Sequence, residues 1–132
     1  MLPLIPFMIV PLVLYIGIVV IGHASLEAVL LSIGLPSLTT MKLTLGDLLL
    51  LVGMIALFVE MVMATNTRTS SLINHGLSML LFVVSGLFFL FLERCGTSTF
   101  LLLIVMMLID VVAGYSIGIV TARRDLSVEK VQ

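Results

Sequence analysis

The chain has 132 residues, of which 61% are hydrophobic and 10% charged, and its formal net charge is -1. Soluble domains carry about a quarter charged residues, so a mean hydropathy of +1.39 excludes an ordinary water-soluble domain. The lack of net positive charge excludes nucleic-acid binding as a main activity, and the single cysteine, Cys95, excludes an internal disulfide.

A membrane span needs roughly 20 mainly apolar residues, which leaves room for four helices and short connections. The expectation is an all-α membrane protein: one domain over 1–132, built as an antiparallel bundle of four transmembrane helices whose solvent is the lipid bilayer. The first segment covers about 2–22 and carries no charge. Pro3 and Pro6 suit a helix entrance, whereas Pro11 is expected to kink the helix. No Lys or Arg precedes this apolar stretch, and it is long for a signal peptide, so it is read as a retained span.

Between His23 and Asp47 apolar and polar side chains alternate around Met41–Leu45. Two readings compete there. One is a short hairpin, with Val29–Leu35 and Met41–Leu45 as strands and 36–40 as the turn. The other is an interfacial helix over Leu26–Ile33 capped by Ser25. Either would lie on the outer side, between helices 1 and 2.

The second segment covers about 46–64, with Asp47 placed where the helix dipole favours a carboxylate. The third covers about 72–92, and the fourth about 98–120, followed by a water-facing tail over 121–132. Arg68, Arg123, Arg124 and Lys130 fall on one side together with the amino terminus, against Lys42 and Arg94 on the other. The positive-inside rule then makes both termini cytoplasmic, in a multi-pass inner-membrane protein.

Asp110 interrupts an apolar run from Leu101 to Gly118, and its short side chain cannot reach water from that depth. A carboxylate at the bilayer centre costs about 2.5–3.5 kcal/mol on insertion scales, so it needs a proton or a polar partner. Gly114 and Gly118, one and two turns on, make a small-residue face that lets a neighbouring helix come close. The expected partners are the hydroxyls of Ser78 and Ser85, which share a face of segment three, and Tyr15.

Glu60 and His75 flank a short loop at matching depth and could pair as a proton relay; the simpler reading lets Glu60 snorkel toward Arg68 and the headgroups. Gly53, Ala56 and Glu60 form one stripe on segment two and mark helix packing. His23 and Glu27, four residues apart, could share a helix face, but two ligands make no metal site. There is no phosphate-binding loop, nucleophile–base pair or metal-ligand cluster, so no enzyme activity, cofactor or metal is expected.

Leu43–Leu50 (LTLGDLLL), Asn74–Val83 (NHGLSMLLFV), Ile109–Gly114 (IDVVAG) and Thr121–Asp125 (TARRD) together resemble small four-span inner-membrane proteins of bacteria, mainly proteobacteria. That resemblance implies a membrane setting and brings no activity with it. The expected role is a structural or accessory component of a homo-oligomer or larger membrane complex. The alternative is a proton-coupled transporter or channel centred on Asp110.

Overall fold

The computed structural model describes residues 6–64 and 69–131, with side-chain surroundings for 6–63, 73, 76–116 and 119. The chain is mostly helical. In order it forms α1 (Ile9–Tyr15), continued by a π-helical stretch (Ile16–Ile21), the strands β1 (Val29–Gly34) and β2 (Thr40–Thr44), then α2 (Leu45–Ala64) and α3 (Thr69–Phe91). A 3-10 turn (Glu93–Cys95) leads into α4 (Ser98–Val131).

Local chemistry sets most of these boundaries. Pro11 lies in the first turn of α1, where the N–H it lacks would have no helical partner anyway, so the expected kink at Pro11 has no cause. The helix stops at His23, whose φ of 54° is the left-handed conformation that ends helices. His23 therefore shares no helix face with Glu27. The Thr44 hydroxyl accepts from the Asp47 N–H at 3.3 Å, while the Thr44 N–H donates to Asp47 Oδ2 at 3.1 Å. This reciprocal capping box starts α2 at Leu45. Thr97 does the same duty for α4, accepting from the Phe100 N–H at 3.2 Å.

Of the two readings for the stretch before α2, the chain adopts the hairpin. β1 and β2 pair antiparallel, with Ile33 opposite Met41 and Gly34 opposite Thr40, and an irregularity between Val29 and Leu31. The hairpin is tied to α2 by N–H bonds from Leu45 to the Ala28 carbonyl and from Gly46 to the Leu26 carbonyl. Leu38 at its tip has φ 67° and is 98% exposed.

Two helices, through Leu45–Met63 and Ser98–Ser116, are long and apolar enough to cross a membrane. The apolar parts of the other two, Ile9–Ile21 and Gly76–Phe91, are shorter. The segment expected to end near 120 continues as helix to Val131, so 121–131 is helical rather than an irregular tail.

Helix order departs from a simple up-and-down ring. α4 packs along both α2 and α3, while α1 packs chiefly on α2. A Cβ on Gly46 would meet Thr99 Oγ1 at 2.9 Å, and one on Gly53 would meet Leu103 Cδ2 at 2.8 Å and Met106 Sδ at 2.9 Å. Contact positions rise together along both chains, so α2 and α4 run parallel. The buried positions of α2 are 46, 49, 53, 56 and 60, a spacing of three and four that keeps one narrow seam against a partner helix. The core comprises Met8, Leu12, Tyr15, Val19, Leu49, Phe100, Leu103 and Met107, among others.

Candidate functional site: a buried pair of acids

The next step of the α2–α4 seam after Gly46 and Gly53 is Glu60, and the residue across from it is Asp110. Each is buried, 1% and 2% exposed, and the two carboxyl groups lie beside one another. At 1.5 Å per residue, Glu60 is about 22 Å and Asp110 about 18 Å from the capped start of its helix.

Glu60 reaches a third element as well. Its Oε1 accepts the Phe7 N–H at 3.1 Å, and the Met8 amide also faces the carboxyl. These amides precede the first turn of α1, where backbone donors have no helical acceptors. Glu60 Oε2 has no well-formed hydrogen bond among the described residues.

Sequence reasoning placed Asp110 correctly against a helix and assigned it different partners. Tyr15 does not serve it: the Tyr15 hydroxyl donates to the Arg94 carbonyl at 2.7 Å and shares a hydrogen bond of 2.8 Å with Thr97 Oγ1. Ser78 and Ser85 are buried as expected, yet neither hydroxyl has a hydrogen-bond partner among the described residues. Glu60 does not snorkel to the surface. Its acidic neighbour Asp110 is on α4, which packs along both α2 and α3. The side chain of His75 and the surroundings of Gly118 fall outside the described residues, whereas Gly114 is buried on α4. Gly53 is at a helix contact, as its small-residue stripe implied.

Two other features frame the pair. Beneath the hairpin, a cleft of about 610 Å³ is lined by Glu27, Asp47 and Arg94 together with Ser and Thr hydroxyls. Between α1 and α3, an apolar groove of about 370 Å³ is walled by Pro6 and Ile9 on one side and Leu77, Leu80, Leu81 and Val84 on the other. Cys95 is fully buried in the 3-10 turn, where burial pushes its thiol pKa up and keeps it unreactive. Among the described residues no group of three His, Cys, Asp or Glu side chains could hold a metal ion.

Comparison with protein-family models, with curated proteins and with solved structures returns no match.

What the arrangement can do follows from the two acids. A hydrogen bond between carboxyl groups requires a proton as its donor, and two full negative charges in contact at low dielectric repel strongly. The pair therefore brings two ionisable groups, one from α2 and one from α4, into a single buried site.

Proposed function

We propose that this chain is a small multi-pass protein of the bacterial inner membrane, all four helices crossing the bilayer and both termini cytoplasmic. In this reading it is a proton-coupled transporter or channel, working as a homo-oligomer, and the Glu60–Asp110 pair is its proton-binding element.

The observation that carries the reading is the meeting of two buried acids from two helices. A structural fastening is better made from one acid and a hydroxyl, or from apolar side chains, since burying a second ionisable group adds desolvation and repulsion. Here the buried hydroxyls of Ser78 and Ser85 have no hydrogen-bond partner among the described residues, while a second acid, Glu60, lies beside Asp110. Membrane residence is supported by the length of α2 and α4 and by apolar side chains exposed on α2, α3 and α4, such as Phe58, Leu80, Leu90 and Val112. A single four-helix unit encloses little interior volume, which is why an oligomer is part of the proposal.

A second reading, an accessory component packed into a larger membrane complex, is favoured by the Phe7 N–H bond to Glu60. In that case Glu60 serves to hold the start of α1 in place, and the proton is incidental.

Purified protein reconstituted in vesicles containing a pH-sensitive dye separates the two. The transport reading expects proton flux from the native chain and its loss in Asp110→Asn and Glu60→Gln with the fold retained. No flux from native protein, with both variants folding normally, ends that reading and leaves the accessory role. Native mass spectrometry in mild detergent showing only a monomer, with no co-purifying chain, counts against both.

A further inference from the structure

The hairpin has an apolar face and an open edge. Residues opposite one another in a ladder share a face, so Leu31 with Leu43 and Ile33 with Met41 make one face apolar, while Ser32 with Lys42 and Gly34 with Thr40 make the other polar. The apolar face is only half covered: Leu31 is 49%, Ile33 42% and Met41 42% exposed. The edge follows from the hydrogen bonds. Among the described residues the sheet has two strands, and the Leu35 N–H bonds the Thr39 carbonyl at 2.8 Å. Alternation along an antiparallel ladder then turns the backbone N–H and C=O groups of Ser32 and Gly34 away from β2.

Water and lipid each answer half of this. Water would satisfy the open edge and leave the apolar face wet; acyl chains would cover the face and leave the polar groups of the edge unbonded. A third strand on the edge removes the conflict, and an isolated pair of strands needs such support for its own stability. The two edges are not equivalent. β2 carries Lys42, whereas β1 is VLLSIG, with neither a charge nor a proline, the devices that keep an edge strand from pairing.

We infer that β1 is an interface strand whose partner is β1 of a second copy of this chain, the two running antiparallel about a two-fold axis at Ser32. The inference rests on the proposed homo-oligomer and names the surface that joins its copies. In this register Ser32 lies opposite Ser32 of the partner subunit, and their outward N–H and C=O groups bond one another. Ile33 then lies across from Leu31 of the partner subunit, on the same face, so the apolar side chains pack in cross-strand pairs. One patch serves both copies, as a closed two-fold contact requires, and no like charges meet across the axis. Two copies that cross the bilayer in the same sense share an axis along its normal. The four-stranded sheet therefore lies flat on the membrane surface, its apolar face toward lipid and Lys42 toward water.

The test uses the full chain in mild detergent and in vesicles, with single cysteines added and the native chain, whose Cys95 is fully buried, as the control. Oxidation should convert most of Ser32→Cys to a covalent dimer. Leu38→Cys, at a tip that the antiparallel arrangement carries to the far end of the sheet, should yield about tenfold less or lower still. Ser32→Pro removes the outward N–H and leaves the β1–β2 ladder intact, and in native mass spectrometry it should turn the dimer into a monomer. Ser32→Lys, which sets two like charges across the axis, should do the same and serves in its place if the proline variant does not fold. Equal cross-linking at 32 and 38, a cross-link from 32 to a different co-purifying chain, or an oligomer that survives both substitutions overturns the inference. The last of these leaves the homo-oligomer standing on another surface, whereas a native chain that is wholly monomeric overturns both.

Discussion

The two polar clusters inside this bundle are finished to different degrees. At the hairpin end, the Tyr15 hydroxyl bonds the Arg94 carbonyl and Thr97 Oγ1, the ring packs on Phe100 with centroids 4.7 Å apart, and Cys95 is sealed beside it. Elsewhere in the bundle interior, Glu60 Oε2, Ser78 Oγ and Ser85 Oγ have no hydrogen-bond partner among the described residues. Buried polar groups in proteins are nearly all satisfied, and those that are not call for an explanation. The first cluster is built for stability. The second keeps polar capacity in reserve, and this is why chemistry is assigned to it.

The contrast can be tested by substitution, with thermal unfolding in mild detergent as the readout. The largest effect belongs to the finished cluster. Tyr15→Ala removes a buried ring and its hydroxyl at once and should cost about 3–5 kcal/mol. Tyr15→Phe, which leaves the Arg94 carbonyl without its donor, should cost about 1–3 kcal/mol. If Tyr15→Ala proved nearly neutral, the hairpin end would not be the stabilising cluster described above.

Gly53→Leu comes next, because its side chain would have to displace Leu103 and Met106. Overpacking of this kind costs about 1–3 kcal/mol, and by parting α2 from α4 it should also move Glu60 away from Asp110 and, under the proposed function, impair proton binding there. A variant with lowered stability and unchanged proton flux would show that the seam does not position the acids.

Leu38 offers a smaller effect of opposite sign. A leucine in the left-handed conformation is strained by about 1–2 kcal/mol, so Leu38→Gly should raise stability by about 1 kcal/mol once the entropic cost of glycine is subtracted. Smallest of all is Ser85→Ala. Its hydroxyl is fully buried and gains no hydrogen bond among the described residues, so its loss should be neutral or slightly stabilising, within about 1 kcal/mol. A clear loss of stability would show that the Ser85 hydroxyl has a partner.

Much of the local structure was legible because it depends on short-range chemistry. Apolar runs broken by polar residues marked α2, α3 and α4 to within a few residues at most ends, and Asp47 marked the start of α2. Asp110 was recognisable as an inward residue since a short carboxylate at that depth has no other outlet. The partner of Asp110 was not legible. Depth counted from the end of each segment puts Glu60 near a surface and Asp110 at the centre, and chain order suggests that α2 pairs with α3. One signal did point toward the answer: the spacing of seven that links Gly46, Gly53 and Glu60 marks a single seam, so Glu60 faces the same partner helix as the two glycines.

Hydropathy, caps and turn residues, which act over one or two helical turns, were enough to mark the helices and the inward acid from the sequence alone, whereas the choice of hairpin over interfacial helix was made in the structure. Which helix lies between which, and the register that sets Glu60 against Asp110, were decided only in the folded bundle. Both depend on how closely α4 can approach the two glycines of α2, a contact between residues some 50 positions apart that no local pattern in the chain specifies.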